Sequence, residues 1–465
     1  MRTTAISALF GLLIVSTFAV GGKEKEDVLI PSDLVASAEA PGPSAAEIER
    51  MIKDLGSDDW RAREKAGRDL EAKGEFALPA MRRALIATDD PEVQRRLVVL
   101  VRKMDYARLV EPKKVTLSVK DQPAAQIFAE ITKQTGYRIE FGGGGEDTKY
   151  SFEFKNVPFW QAVDTVANTA GYTVYADYGD ESIRVYNQNT MNPYVSYAGP
   201  FRFVAQNINS SRNVQLANIS KAGGNERMNE YMNLSFQIHS EPKNPMLGYS
   251  QPEVLEAKDE LGGSLLPPQQ PNNLEYRSAR YMNQGYRGHN LYASLNLNRS
   301  DRSATTLKSL KCRVCIMLLA GTTPEVTVAD PLKAKKKSFA GRTTSIELEA
   351  VDEDANQKGV YTVNLTAKRV GTVDPNRGDD YYWANNLWQK VELSDEKGNK
   401  YFCYGPQTIN HNPGAVQMVL MFGPDDRRTG RPAPNKLGPP TKLVLNEWLS
   451  VTHEVTFEFK DIPLP

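Results

Sequence analysis

Apolar and polar positions recur with two different periods along this chain, and the period changes where Gly, Pro and Asp cluster. Between Ala45 and Asp105 the apolar residues fall at helical spacing. Ser57-Asp58-Asp59 predicts the start of a helix that runs to about Lys73 and stops at Gly74. A further helix is predicted over Ala77 to Ile86. Another begins at Asp89-Asp90-Pro91, with proline in its first turn and acids at its positive end, and carries Val93, Leu97, Leu100 and Val101 as a stripe. From Thr116 to Val185 the period switches from strand to helix and back, twice. Leu117 and Val119 alternate with polar neighbours, then Ile127, Phe128 and Ile131 take helical spacing, as do Ala162, Val163 and Val166 later. Beyond Tyr197 alternation dominates, as in Leu234-Phe236-Ile238, Leu291-Ala293-Leu295-Leu297, Tyr361-Val363-Leu365-Ala367 and Val455-Phe457-Phe459. Such runs predict antiparallel sheets with one buried face.

The pattern therefore predicts a multidomain α+β protein. A short helical-repeat segment occupies 45–106 and a βαβ-repeat domain 112–187. Two antiparallel β-sandwich-like domains follow at 196–321 and 322–465, divided near Thr322. Leu265 to Gly288, with Pro267-Pro268-Gln269-Gln270-Pro271, reads as a long loop.

The βαβ-repeat domain is a duplication. Thr116-Leu117-Ser118-Val119-Lys120-Asp121-Gln122-Pro123 recurs as Ser151-Phe152-Glu153-Phe154-Lys155-Asn156-Val157-Pro158, an offset of 35 residues. The same offset relates Ile131 to Val166, Gly136 to Gly171, Tyr137 to Tyr172 and Ile139 to Val174. Gly136 and Gly171 stand where a left-handed helix terminus requires them. One half cannot bury its sheet face alone, so the two are expected to fuse into a single sheet-and-helix body, completed by a strand over Ile183 to Val185. On Phe154-Lys155-Asn156-Val157-Pro158, the amphipathic helix after it and Gly171-Tyr172, this segment resembles the secretin and TonB short N-terminal (STN) domain. The resemblance covers about Lys113 to Val185. It implies a periplasmic adaptor that docks partner proteins near outer-membrane gates or receptors. The rest of the chain shows neither a pore-forming secretin region nor a train of barrel strands, so docking is carried over and gating is not.

The helical segment also repeats, since Asp58-Asp59 and Asp89-Asp90 lie 31 residues apart. Asp59-Trp60-Arg61-Ala62-Arg63-Glu64-Lys65-Ala66 resembles a HEAT-type repeat. The second unit, Asp90-Pro91-Glu92-Val93-Gln94-Arg95-Arg96, departs at Gln94, where the first has Arg63. Two units are fewer than such arrays usually need, so a small helical cap on the next domain is expected. The resemblance implies protein–protein contact.

At 465 residues the chain exceeds one ordinary core. Its 57 basic and 57 acidic residues leave no basic excess to displace counterions from nucleic acid. Arg2, the apolar run Ala5 to Val20 and the small residues Ala19, Gly21 and Gly22 predict a signal peptide at 1–21, ahead of a Pro/Ala/Ser-rich linker at 22–44. An uncleaved N-terminal anchor is the competing reading, although the run is shorter than the roughly 20 residues that span a bilayer. No later segment reads as a membrane span. Export to the periplasm or cell surface is expected.

Candidate chemistry is sparse. Cys312 and Cys315 form a C-x-x-C, but in a strand three steps separate them by about 10 Å and place them on opposite faces, beyond the roughly 7 Å a disulfide allows. His239, His289, His411 and His453 show no metal spacing, and His453 alternates with Val455 and Phe457 as a sheet residue. Gly142-Gly143-Gly144-Gly145 precedes Glu146-Asp147, which would repel phosphate, and reads as a linker between the repeat halves. Asp352-Glu353-Asp354-Ala355-Asn356 has alternating oxygens, yet Val363 stands where a calcium loop closes with Glu, so a hairpin turn is expected. No catalytic, cofactor or metal residues are assigned. Tyr381, Tyr382, Trp383 and Trp388, beside Asp379-Asp380, are candidate ligand contacts, because rings next to carboxylates can stack on sugars or anchor a peptide. The leading expectation is a non-catalytic envelope protein that docks protein partners. A carbohydrate- or peptidoglycan-binding protein using the C-terminal β domains is the alternative, and a hydrolase with dispersed carboxylates the second.

Overall fold

The computed structural model describes residues 45–142, 148–176, 182–188, 190–214, 228–267, 287–299, 302–371, 384, 386–412, 414–427 and 430–465. The expected signal peptide and linker lie outside the described residues, as does most of the loop expected after Leu265. The fold is mixed α+β with several antiparallel sheets. It falls into two compact units, divided between Leu97 and Val98.

The first unit is helical: α1 (Ala45–Asp54), α2 (Trp60–Ala72), α3 (Leu78–Ala87) and the first turns of α4 (Pro91–Val110). Its repeated acids are helix caps. Asp59 Oδ1 accepts from the Arg61 amide at 3.0 Å, and Asp90 Oδ1 from the Glu92 amide at 2.8 Å, so each carboxylate meets a free N–H at a positive helix end. Glycine is required at Gly56, because a Cβ there would stand 2.7 Å from the Val93 side chain and 2.8 Å from the Asp90 carboxylate. Ile48, Met51, Ile52, Leu55, Leu70, Met81 and Leu97 are buried. Trp60, the apolar position of the acid-apolar-Arg sequence, is 60% exposed.

The second unit begins with an α/β body. Its elements are β1 (Lys114–Pro123), α5 (Ala124–Thr135), β2 (Arg138–Phe141), β3 (Lys149–Pro158), α6 (Phe159–Ala170), β4 (Thr173–Ala176) and β5 (Ser182–Tyr186). The duplication dictates its symmetry. Across the antiparallel β1–β3 ribbon Leu117 faces Phe154, Val119 faces Phe152 and Ser118 faces Glu153, the reciprocal pairs that a local two-fold gives two copies offset by 35 residues. Asp121 and Asn156, equivalent in the two copies, both adopt left-handed backbone, at φ 52° and 53°. Short Asp and Asn side chains tolerate that region. Each donates its amide to a hydroxyl of the other copy, Asp121 to Ser151 Oγ at 3.0 Å and Asn156 to Thr116 Oγ1 at 3.1 Å. Gly136 and Gly171 end α5 and α6 at φ 71° and 75°. Ile127, Phe128 and Ile131 of one half share a core with Phe159, Val163, Val166 and Ile183 of the other. The halves thus pack together, but not around a single sheet. The ribbon is one sheet, and β2-β5-β4 is another, because β5 pairs with β2 in parallel and with β4 in antiparallel and so separates the two equivalent strands.

The remainder is β-structure: β6 (Val195–Ala198), β7 (Phe201–Val214), β8 (Met228–Ser240), β9 (Met246–Tyr249), β10 (Glu253–Asp259), β11 (Asn290–Leu297), β12 (Thr306–Ala329), β13 (Lys337–Phe339), β14 (Thr344–Glu353), β15 (Tyr361–Arg369), β16 (Val391–Asp395), β17 (Phe402–Asn412), β18 (Ala415–Gly423), the short pair β19 (Asp425–Asp426) and β20 (Arg431–Pro432), and β21 (Pro440–Pro463). Strands β12 and β21 are 24 residues each and pair along their whole length, about 80 Å of ladder. One end of this sheet, with β9 and β10, packs on β11-β8-β7-β6. There Phe203 stacks on Phe457 at 4.0 Å between ring centres, among Phe236, Leu310, Ile316 and Phe459. The other end, with β16, packs on β13-β14-β15-β18-β17 through Val326, Val328, Leu365, Leu420, Leu443 and Leu445. On β21 Val455, Phe457 and Phe459 face the first core and Leu443 and Leu445 the second, all odd-numbered along an unbroken strand, so both cores use one face of the shared sheet. The boundary expected near Thr322 therefore falls inside a continuous strand. Moreover, 450–463 of the expected second domain pairs beside the first core. Register shifts after Leu319 and Pro324 mark where the strand takes up its local irregularity.

Because one sheet serves both cores, Leu310→Ala in the first and Leu420→Ala in the second, each replacing a fully buried side chain, should each cost about 2–5 kcal/mol and shift the same calorimetric transition. Two transitions that move independently would contradict the shared sheet.

Candidate functional site

Charged groups in the second unit gather where the α/β body meets the first β core. On α6 the side chains of Trp160 and Asp164, four residues apart, share one face. Asp164 Oδ2 accepts from Arg202 Nε of β7 at 2.7 Å and from the Tyr197 hydroxyl of β6 at 2.6 Å. Both ionic side chains are about 95% or more removed from solvent. Burial, then the neighbouring Asp164 charge, pushes the Tyr197 phenol far above its ordinary range. The Arg202 guanidinium lies over the Trp160 ring at 5.7 Å, and Trp160 Nε1 donates to the Pro200 carbonyl at 3.2 Å. His239 of β8 completes the wall, 6.0 Å from the Trp160 ring. It is buried, and among the described residues neither ring nitrogen has a hydrogen-bond partner, so burial and then the Arg202 charge push its pKa well below the usual value.

Glu241 closes the same seam. Its carboxylate accepts from the Tyr137 hydroxyl at 2.8 Å and from the Lys113 amide at 3.1 Å, with no exposure to solvent. Burial outweighs these donors and raises its pKa to about 7.

Just outside, Pro242 and Lys243 line a half-open cleft of about 230 Å³ together with Gly136, Tyr137, Arg138, Ser182 and Arg431. Alternation on β2 and its parallel partner β5 turns Arg138, Glu140, Ser182 and Arg184 to one face. Glu140 is the shared counter-ion: it pairs with Arg138 at 3.1 Å, Arg184 at 3.5 Å and Arg431 of β20. Lys243 sits in left-handed backbone at φ 73°, with its ammonium 5.6 Å from the centre of the Tyr137 ring. Sequence reading missed this cluster, because its cations come from positions 138, 243 and 431 and no local motif joins them.

The residues singled out from sequence are not brought together at this seam. Tyr381, Tyr382 and Trp383 lie outside the described residues, while Trp388 is half-buried against the second β core. Cys312 and Cys315 are not joined in a disulfide and lie on opposite faces of β12. Cys312 is sealed in the first core, where burial raises its pKa, and Cys315 is half-buried. His453 of β21 makes a 2.8 Å hydrogen bond to the Tyr106 hydroxyl and stacks on Phe201. The side chain of His411 lies outside the described residues. Asp354 Oδ1 caps the amides of Asn356 and Gln357 at 2.8 and 3.1 Å, as a hairpin turn requires. Among the described residues no cluster of three or more His, Cys, Asp or Glu could hold a metal ion, and no helix is long and apolar enough to cross a membrane.

No protein-family model matches the chain, and no curated protein matches it. Among solved structures, a conserved domain protein from Bacillus anthracis is similar over 59% of this chain and 90% of its own length. The identity is 9% and the TM-score 0.14, too low to carry an argument.

Asp164→Ala should destabilise the protein by about 3–5 kcal/mol in denaturant melts, because it strands a buried guanidinium. Adding Arg202→Met should recover much of the loss. A single-variant cost below about 1 kcal/mol would show that the pair is solvated. Glu241 ionises near 4.5 when unfolded and near 7 when folded, so the stability it contributes is full below pH 4.5 and lost as pH rises through 7. Glu241→Gln keeps an acceptor without the buried charge. It should therefore gain on the wild type by up to about 3 kcal/mol between roughly pH 5 and pH 8. Thermal melts at both values measure the difference, and a flat or shrinking gain contradicts the assignment.

Proposed function

We propose that this chain is an exported cell-envelope protein that docks partner proteins through its helical and duplicated α/β modules. The HEAT-type and STN resemblances of the two modules support the reading. The observation that carries it is the β1–β3 ribbon. Among the described residues each of its strands ladders only with the other, so apart from the Thr116 amide, which donates to Gln134 Oε1 at 3.1 Å, its outer edges leave backbone N–H and C=O groups for an extended partner segment. Exposed Lys114, Lys120, Lys149 and Lys155 along the ribbon discourage self-pairing without closing the edges. The body behind is anchored by the buried Asp164–Arg202 pair, which gives a docking edge a firm mount.

Photo-crosslinkers placed at Glu153 and Lys155, whose side chains are 67% and 82% exposed, test the reading in intact cells. They should give discrete protein adducts in the envelope fraction, whereas a crosslinker at the equally exposed Lys333 of the second β core should not. Equal labelling at all three positions, or none at the ribbon, would overturn it.

A further inference from the structure

We infer that the cleft between Arg138, Lys243 and Arg431 is a binding site for a small phosphate-type dianion, a ligand separate from the protein partners proposed above. Three distant parts of the chain deliver a cation each: β2 of the α/β body, the turn after β8, and the β19–β20 pair of the second β core. They converge although they repel. Partial burial and the Arg138 charge together depress the Arg431 pKa, so the two guanidinium groups act on one another across the cleft. Arg138, Arg184 and Arg431 share one carboxylate, Glu140, and Lys243 adds a further positive charge to the lining of the cleft. The other acid nearby, Glu241, turns its oxygens inward to Tyr137 and Lys113 and does not itself line the cleft.

The cleft's geometry fits the same ligand. Its volume of about 230 Å³ is several times the roughly 30 Å³ share of a water molecule, room for a phosphate and a short substituent. Arg138 and Arg431, each of which also pairs with Glu140 through one nitrogen, bring guanidinium donors to the lining, and Lys243 brings a point charge. Lys243 reaches it from a left-handed backbone that a lysine rarely adopts, held over Tyr137 and against Gly136. A planar carboxylate could pair with one fork. A tetrahedral dianion has oxygens enough to take donors from all three residues that line the cleft.

Calorimetric titration of the full chain with inorganic phosphate and with glycerol phosphate, at ionic strength matched with chloride, tests the site. Saturable binding is expected, together with a rise in melting temperature that chloride does not give. Lys243→Asn suits left-handed backbone, and Arg138→Gln alters an exposed side chain, so both should fold normally. Each should weaken binding about tenfold or more. Tighter binding of glycerol phosphate identifies an ester ligand and tighter binding of phosphate the free anion; either result supports the inference. Heat no greater than chloride gives, or binding that both folded variants retain in full, would overturn it.

Discussion

The ladder between β12 and β21 is the constraint on which the rest of the second unit depends. A sheet of ordinary strand length would have closed one core and stopped. In this chain the two strands continue through a pair of register shifts and present the same face again, so a second set of strands can pack on it. Each core borrows the stiffness of the other, because neither can lose its half of the ladder without loosening the pairing next door. The chain order follows: β12 leaves the first core for the second, and β21 returns.

The α/β body is attached by different physics. Its own core is apolar and made by duplication, but its junction with the first β core is polar and dry. A buried carboxylate and guanidinium gain little over a well-packed apolar pair, yet they fix orientation, since misalignment leaves either charge without its partner. The two copies diverge at this junction. Trp160 and Asp164 of α6 correspond, 35 residues earlier, to Ala125 and Ala129 of α5. One helix of the pair carries the junction with the first β core, and the other has small residues at the equivalent positions.

Much of this was legible in the residues alone, for identifiable reasons. Helix caps at Asp59 and Asp90 and helix stops at Gly136 and Gly171 are local chemistry, which sequence records directly. The duplication announced itself through residues that must repeat: the strand face, the left-handed Asp121 and Asn156, and the glycines. The same phrase appears a third time as Phe457-Glu458-Phe459-Lys460-Asp461-Ile462-Pro463, with Asp461 at φ 55°, an available signal that strand alternation alone passed over. The continuity of β12 was hidden because Gly321-Thr322-Thr323-Pro324 reads as a breaker. Pro324 is tolerated there because, among the described residues, β21 is the only strand paired with that stretch. Asp164 could have been flagged as a charge between Val163 and Val166 on a buried face. Its partner Arg202, and the cations at 138, 243 and 431, are joined only by tertiary structure.

Native-state hydrogen exchange along β12 and β21 tests the shared sheet most directly. Hydrogen-bonded amides at mid-span, from Leu318 to Thr327 and opposite them from Val444 to Val451, should open with the same free energy as those near Val314 and Val328. Protection that is high at both ends and collapses in the middle would mean two separate sandwiches joined by a strap, and would contradict a single continuous sheet.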